Sequence, residues 1–539
     1  MDRRAGLGRR GFLAGLGVAG AAAVGAGVPG RFDLRASAAA ASVPPIDPNF
    51  PLGIAAGDPH PTGSVIWSKV PDSPGAVAVD WEVANDEAFS RIARRGSTEA
   101  VAETDHTVKV VVDGLRSDAW YFYRFRTAAG TSRVGRLRTA PVLGRSPQRL
   151  RFAFSSCQQI NESYYVAHLA MAKEDIDFWV HYGDYIYVND FGTISLDDYR
   201  GVYRRFKANP MLQELHARYP VVAMWDDGEF VNGIDRTFDP ARFDAARQAW
   251  FDYQPVTRPE RDPNRTYRKI GWGDLVSFLL LDVRQYRDPV INGVSGGPLG
   301  LSTIDTHTEA GAHMFDPNRT CLGQRQKHWL TSHLASDEAT WRHIGHGYNF
   351  LAVRLDDYDT PSARANPPAG FHINGGNYVA TDAWDSYWAE RRRLMDFLAD
   401  QAIPNVVATA GHTHVYFAGG LRPDYDDLEG SPVVAHEFVC GSLTADPDLR
   451  KAYLPDLPLE EAEAVLRSVE GAFLGLNPQI DYIDLVSQGY GLVEFTPSEA
   501  RVWFQVIDTY DALAEARTRA SWTVPAVASG EPATLVRNI

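Results

Sequence analysis

Apolar positions along this chain fall into two rhythms. From Phe50 to Pro141 they alternate with polar ones in short segments, "SVIWSKV", "AVAVDWEVA", "HTVKVVVDGL", "WYFYRFRTAA" and "RVGRLRT", separated by turn residues. A period of two over such lengths predicts strands with one buried face, and their close spacing predicts a small all-β sandwich over residues 46–141. After the linker "APVLGRSPQ" the runs become continuously apolar: "LRFAFSS", "DFWVHYG", "VVAMW", "DLVSFLLL", "WRHIGHG", "NVVATA" and "VVAHEFV". Segments of helical period lie between them, among them "ESYYVAHLAMAKED", "FDAARQAWFDYQ", "LGQRQKHWLTSHLAS" and "YWAERRRLMDFLADQ". Buried strands alternating with covering helices predict an α/β domain over 148–505. Beyond Tyr510 the chain turns polar and Pro/Ala-rich, which predicts a surface tail over 510–539.

The first 42 residues obey neither rhythm. Arg9 and Arg10 stand before a Gly/Ala-rich apolar run from Phe12 to Val28, and "ASAAAAS" follows with A-x-A cleavage sites. The segment resembles a twin-arginine signal peptide. The run is short for a membrane anchor, and no other run is long enough to span a bilayer. The resemblance implies export, already folded, by the twin-arginine machinery to the periplasm, cell wall or extracellular space, with no stable membrane span after processing.

Composition narrows the picture further. The 539 residues are 45% hydrophobic and 11% aromatic, enough for large packed cores. Net charge is −15, and the first 42 residues carry six arginines against two aspartates, leaving −19 on the remainder. A chain so acidic is a poor partner for nucleic acid or anionic membranes. Three cysteines, Cys157, Cys321 and Cys440, allow one bridge and one free thiol but no disulfide-built fold.

Several apolar runs stop on side chains able to hold a metal: Cys157 after "FAFSS", Asp184 after "WVHYG", Asp226 and Asp227 after "VVAMW", His412 and His414 after "VVATAG". Ligands of α/β sheets gather beyond the carboxyl ends of strands. Singly, a buried Cys is a small hydrophobe and a post-strand Asp a helix cap. Together they describe a metal corner, with Tyr187 of "GDYIY" on the turn beyond Asp184.

The ordered motifs "FAFSSCQ", "GDYIY", "WDDGEF", "LLLDVRQYRD", "CLGQRQKHWL" and "NVVATAGHTH" resemble the alkaline phosphatase D family, which also contains phospholipase D-type phosphodiesterases and is distantly related to purple acid phosphatases. The segment from "FPLGIAAGDP" to "GRLRTAP" resembles that family's N-terminal domain. The resemblance implies a calcineurin-like metallophosphoesterase domain, a β-sandwich core flanked by helices, preceded by a fibronectin-III-like or immunoglobulin-like domain. It implies a catalytic Fe(III) held by Cys157, Asp184, Tyr187 and His414. Phenolate and thiolate bind only when deprotonated, which a trivalent cation can enforce. It leaves Cys321 and Cys440 as the pair free to bridge.

The second metal is where this sequence departs from the family. Relatives typically read D-D-H-E where this chain has Asp226-Asp227-Gly228-Glu229, and G-D-V-H where it has Gly411-His412-Thr413-His414. The family's neighbouring metal is calcium, an oxygen-seeking ion, whereas an added imidazole suits zinc, manganese or iron. Asp184, Asp227 and His412 are the expected ligands, with Asn232 and His346 as further candidates; the bland alternative for His346 is a hydrogen-bonded histidine. Replacing an imidazole by Gly228 is expected to leave room for bulkier esters.

Two metals can clamp a phosphate, acidify a water and stabilise both the attacking and leaving oxygens, so no side-chain nucleophile is required. Asp227 is a candidate catalytic residue beside the metals. Arg284, beyond the strand "SFLLLDV", is either a bidentate phosphate clamp or a structural ion pair under the sheet end. The expected activity is hydrolysis of phosphate monoesters or diesters. A phospholipase D-type or cell-wall-polymer phosphodiesterase on the same fold is one alternative, and a secreted binding protein with an inactive phosphoesterase domain is another.

Overall fold

The computed structural model describes residues 45–291, 303–355, 376–379, 382–447, 450, 454, 456–531 and 534–539, so the expected leader over 1–42 lies outside the described residues. Two sheets carry the fold. In a ten-stranded sheet, Leu150–Ser155, Phe178–His181 and Val221–Ala223 run parallel as neighbours. In a seven-stranded sheet, Val276–Leu280, Trp341–Gly345, Val406–Ala410 and Ala435–Val439 do the same. Each of these strands is buried on both faces except at Arg151 and Arg342, which is why their sequences read as near-continuous apolar runs rather than alternating ones.

The inner faces of the two sheets share one core. Phe152 stacks on Phe178 at 5.5 Å and meets Phe278 of the opposite sheet edge-on at 5.1 Å. Helices cover the outer faces. Val166–Lys173, Leu196–Lys207, Pro210–Arg218 and Pro240–Tyr253 pack on the larger sheet. Gly323–Ser336, Trp388–Asp400 and Leu459–Leu476 pack on the smaller. Leu196–Lys207 begins with a capping box between Ser195 and Asp198, and Pro210–Arg218 with an Asn209 cap before a first-turn proline. The result is a helix, sheet, sheet, helix sandwich. Among the described residues no helix is long and apolar enough to cross a membrane.

Both ends of the chain differ from the sequence expectation. The N-terminal segment is all-β apart from a single 3-10 turn and has a core of its own, but it is not a free-standing sandwich. Its strand Ile54–His60 pairs with Val221–Ala223 through Gly57 and Val221, so Ile54–His60, Gly63–Lys69 and Thr107–Val112 extend the ten-stranded sheet. Alternation fixes which face of a strand is buried but not which sheet it joins. The expected tail over 510–539 is likewise corrected. Arg517–Pro525 pairs antiparallel with Glu499–Ile507, and its Trp522 is fully buried against Phe504 and Phe438. The sheet therefore takes in sequence that composition marked as surface.

Four histidines are buried neutral in these cores. His168 accepts or donates at Gln158 Oε1 (2.8 Å), His216 at the Tyr185 hydroxyl (2.7 Å) and His343 at Thr409 (2.8 Å). Burial pushes His168 and His343 down to about 3, and His181 and His216 well below the ordinary imidazole range. The unfolded chain takes up these protons near pH 6.5 and the fold refuses them. Stability is thus fully present above about pH 6.5 and falls as pH drops towards the folded values, by about 1.4 kcal/mol per pH unit for each histidine. Urea midpoints measured across this range should fall steadily with acidification; a midpoint independent of pH would contradict the neutral buried assignment.

Candidate metal centre

The carboxyl ends of the parallel strands of both sheets meet at one place. Cys157 follows Leu150–Ser155, Asp184 follows Phe178–His181, Asp226 and Asp227 follow Val221–Ala223, and His412 and His414 follow Val406–Ala410. Each turn reverses at once. Cys157, Asp184, His412 and His414 all take left-handed backbone, with φ of 61°, 55°, 70° and 54°. Non-glycine residues there cost about 1–3 kcal/mol each and persist where the surroundings over-determine them. Gly411 shows how tight the junction is: a Cβ would stand 2.2 Å from Ser156 Oγ, and that hydroxyl accepts the His412 N–H at 3.1 Å.

Two donor groups share Asp184. In the first, the ligand atoms of Cys157, Asp184 and His414 lie within 4.8 Å of one another. Cys157 Sγ is 3.4 Å from Asp184 Oδ2, and the Tyr187 hydroxyl is 3.3 Å from the same oxygen and 3.1 Å from His414 Nε2. The other His414 nitrogen meets the Asp446 carbonyl at 3.0 Å, which orients the ring. In the second group Asp184, Asp226, Asp227 and His412 converge, with His412 Nδ1 2.7 Å from Asp226, 3.7 Å from Asp227 and 3.9 Å from Asp184.

These groups are buried, and their charges do not balance comfortably. Burial first, then Asp227 and Asp226, holds the Asp184 carboxyl well above the usual range. Burial and Asp184 likewise raise the Cys157 thiol. Burial would lower His412, but Asp226 and Asp227 outweigh it and push it up to about 10. Thiol, carboxylates and imidazoles clustered out of water favour protonated forms unless a cation joins them. By that test the donor set fits metal ions.

Glu229 and Arg284 hold the donors in place. Glu229 is fully buried, and its two oxygens accept the backbone N–H groups of Asp184 (2.9 Å), Tyr185 (2.8 Å) and Asp226 (2.9 Å), tying two strand-end turns together. Burial pushes its carboxyl up to about 8. Arg284 is equally buried; it donates a bidentate pair to Asp226 at 2.5 and 2.6 Å, pairs with Asp382, and lies 3.2 Å from His412 Nδ1. The fork is already engaged, which corrects the phosphate-clamp expectation: Arg284 is a positioning residue for Asp226 and His412.

Other expectations divide. Cys157, Asp184, Tyr187, Asp227, His412 and His414 are brought together. His346 is not: it is fully buried 3.1 Å from Glu437 and packed on Phe350, outside both donor groups. Asn232 is exposed on the loop whose Gly233 N–H donates to Asp227, and its side-chain oxygen accepts from Asn189. Cys321 and Cys440 are unbridged, with Cys321 beside the Tyr348 hydroxyl and Cys440 facing the Ala410 carbonyl. Asp226 was counted among the metal-capable strand-end residues but left out of the second ligand set, which it joins here; Glu229 and Asp382 carried no comparable signal. Gly228 is corrected as well. Its N–H donates to Asp184 Oδ1 at 2.7 Å, and a Cβ there would stand 2.6 Å from that oxygen and from the Ile186 carbonyl, so backbone rather than open space occupies the position.

Comparison with known proteins places the chain as a whole. The sequence model of the PhoD-like phosphatase family matches residues 152–504, and that of the PhoD-like phosphatase N-terminal domain matches 36–141. Alkaline phosphatase D of Bacillus subtilis (strain 168) is 32% identical over 476 residues, 81% of this chain and 76% of its own length. A solved structure of PhoD superposes with a TM-score of 0.75 at 29% identity, over 91% of this chain and 92% of its own. A purple acid phosphatase from yellow lupin (Lupinus luteus) seeds shares the fold, with a TM-score of 0.51 at 12% identity, 87% of this chain and 73% of its own.

The close approach at Gly228 yields a direct test. Gly228→Ala should displace Asp184 and lower metal content by at least ~10-fold, the scale of disturbed outer contacts at metal sites, while far-ultraviolet circular dichroism stays unchanged. Full metal retention by the folded variant would show that the backbone is not packed against Asp184 as described.

Proposed function

Because the chain belongs to the PhoD-like phosphatase family and is a hydrolase of that class, we propose that it is an exported, metal-dependent phosphoesterase acting on phosphate monoesters, diesters or both. The observation that carries this reading is Asp184, a single carboxylate common to two donor groups. Cys157, Asp184, Tyr187 and His414 would hold Fe(III). Asp184, Asp226, Asp227 and His412 would hold a divalent ion, and the imidazole in that set favours zinc, manganese or ferrous iron over calcium. When bound, such a pair supplies Lewis acidity to a phosphoryl oxygen and to the attacking water.

The chain's own groups do the positioning. Asp446 fixes the His414 ring through its carbonyl, Arg284 holds Asp226 against His412, and Glu229 keeps the Asp184 and Asp226 turns in register. Position 228 presents only backbone to Asp184, so an imidazole acid for the leaving oxygen is absent there. Esters with good leaving groups depend least on such an acid.

Three outcomes are expected. Purified enzyme should hydrolyse p-nitrophenyl phosphate or bis(p-nitrophenyl) phosphate, and Asp184→Asn should lose at least ~100-fold in turnover, more than an outer-shell change costs. Activity towards neither ester at any metal loading would sink the reading. A phenolate on ferric iron gives a visible charge-transfer band, so the protein should be coloured and Tyr187→Phe should bleach it; a colourless enzyme fully active with zinc alone would overturn the iron assignment. Finally, changing Arg9 and Arg10 to lysine should retain the folded enzyme in the cytoplasm, and undiminished export would contradict the twin-arginine route.

A further inference from the structure

The large sheet carries a second polar feature, at its other end. Arg149, Asp177 and Tyr219 stand just before the parallel strands whose far ends lead to Cys157, Asp184 and Asp226. A six-residue strand spans roughly 20 Å, so this end is well separated from the metal-capable cluster. Here the N-terminal strands meet the catalytic body, and a cavity of about 270 Å³ is walled by Trp120, Arg136, Lys173, Arg218 and Tyr219. An adjoining cavity of about 390 Å³ shares Arg136 and Arg218 as its wall.

The carboxylates bordering the two lobes are mostly closed by other arginines. Asp175 is paired with Arg149 (2.9 Å), Glu174 with Arg151 (3.3 Å), Asp177 with Arg138 (3.3 Å) and Glu214 with Arg133; Glu87 stands exposed beside the second lobe. Arg136, Lys173 and Arg218 have no carboxylate at ion-pair distance among the described residues. Arg136 is also fixed: its guanidinium lies 4.1 Å over Trp120 and bonds the Tyr219 hydroxyl, with the like charge of Arg218 and the opposite charge of Asp175 both bearing on it. Two neighbouring guanidinium groups with no carboxylate at ion-pair distance repel each other, and an anion lying between them relieves that repulsion. On a chain of net charge −15 such a spot is a local exception.

We propose that this two-lobed groove binds a chain-like phosphate polyanion, successive phosphate groups of which lie on either side of the Arg136–Arg218 wall. Guanidinium forks match phosphate oxygens in pairs. A single phosphate would fill one lobe; a wall of cations shared by two lobes fits a ligand with repeated charges. The choice of phosphate over carboxylate rests on the phosphoesterase reading. Bound at this end, a polymer stays tethered while its other segments sample the metal centre, which raises its effective concentration there.

The test is calorimetric titration of the holoenzyme at low salt with poly(glycerol phosphate), long-chain polyphosphate, inorganic phosphate and polygalacturonate. Either phosphate polymer should bind more tightly than inorganic phosphate or polygalacturonate, and affinity should fall steeply with salt. R218E combined with K173E, both at exposed positions, should weaken polymer binding at least ~10-fold and leave kcat/KM for p-nitrophenyl phosphate within about twofold. Binding of poly(glycerol phosphate) with turnover and a raised KM in the variant identifies a phosphodiester substrate; binding of polyphosphate alone identifies a non-substrate ligand. Undiminished polymer binding by the variant, or equal binding of polygalacturonate, overturns the proposal. A wild type that binds the polymer yet hydrolyses no small ester would instead count against the phosphoesterase reading.

Discussion

Three carboxylates, a thiol and two imidazoles packed out of water at one junction cannot all carry their metal-binding charge states without a cation, and the rest of the fold is arranged around that constraint. Asp184 feels it most, because Asp226 and Asp227 both raise its carboxyl beyond what burial does. Arg284 relieves part of the load by pairing with Asp226, whose carboxyl it holds at about 2 against the effect of burial. Arg284 is in turn balanced by Asp382, which also pairs with Arg287. Among the described residues none of these pairs reaches the Cys157 side, where Asp184 and the thiol face each other at 3.4 Å and Asp184 raises the thiol.

The backbone follows the same logic. Four left-handed residues at Cys157, Asp184, His412 and His414 represent several kcal/mol of local strain, of order 1–3 each. The strain is held by the two sheets behind it, through the Phe152, Phe178 and Phe278 contacts of their common core, and by Glu229, whose oxygens accept backbone N–H groups from two of the turns. A rigid scaffold with strained, donor-bearing turns at one end is suited to fixing the separation of two ions, as the proposed two-metal route would need. The other end of the same sheet carries the basic groove.

How much of this could be read from the chain varies by residue. Cys157, Asp184, Asp227, His412 and His414 were legible because continuous apolar runs stop immediately before them, and a strand that ends at the carboxyl edge of a sheet has few other uses for such residues. His346 follows the same pattern yet points to Glu437, since a strand end does not say which face its next side chain takes. Glu229 looked like one more acid after a turn; its role comes from three backbone N–H groups that only tertiary structure brings to it. The closing strand Arg517–Pro525 was hidden by its polar edge, five of its nine residues being charged or hydroxylated, although Trp522 anchors it. The merging of the N-terminal strands into the catalytic sheet depends on one pairing, Gly57 with Val221, which no local pattern encodes.

The central claim is that Asp184 bridges two metal sites with otherwise separate ligands. Metal stoichiometry of purified wild-type, Cys157→Ser, His412→Ala and Asp184→Asn proteins, each checked for native secondary structure, tests it most directly. The account predicts two equivalents in the wild type, loss of iron alone on changing Cys157, loss of the divalent ion alone on changing His412, and loss of both on changing Asp184. Retention of either metal at full occupancy in the folded Asp184→Asn protein would contradict it.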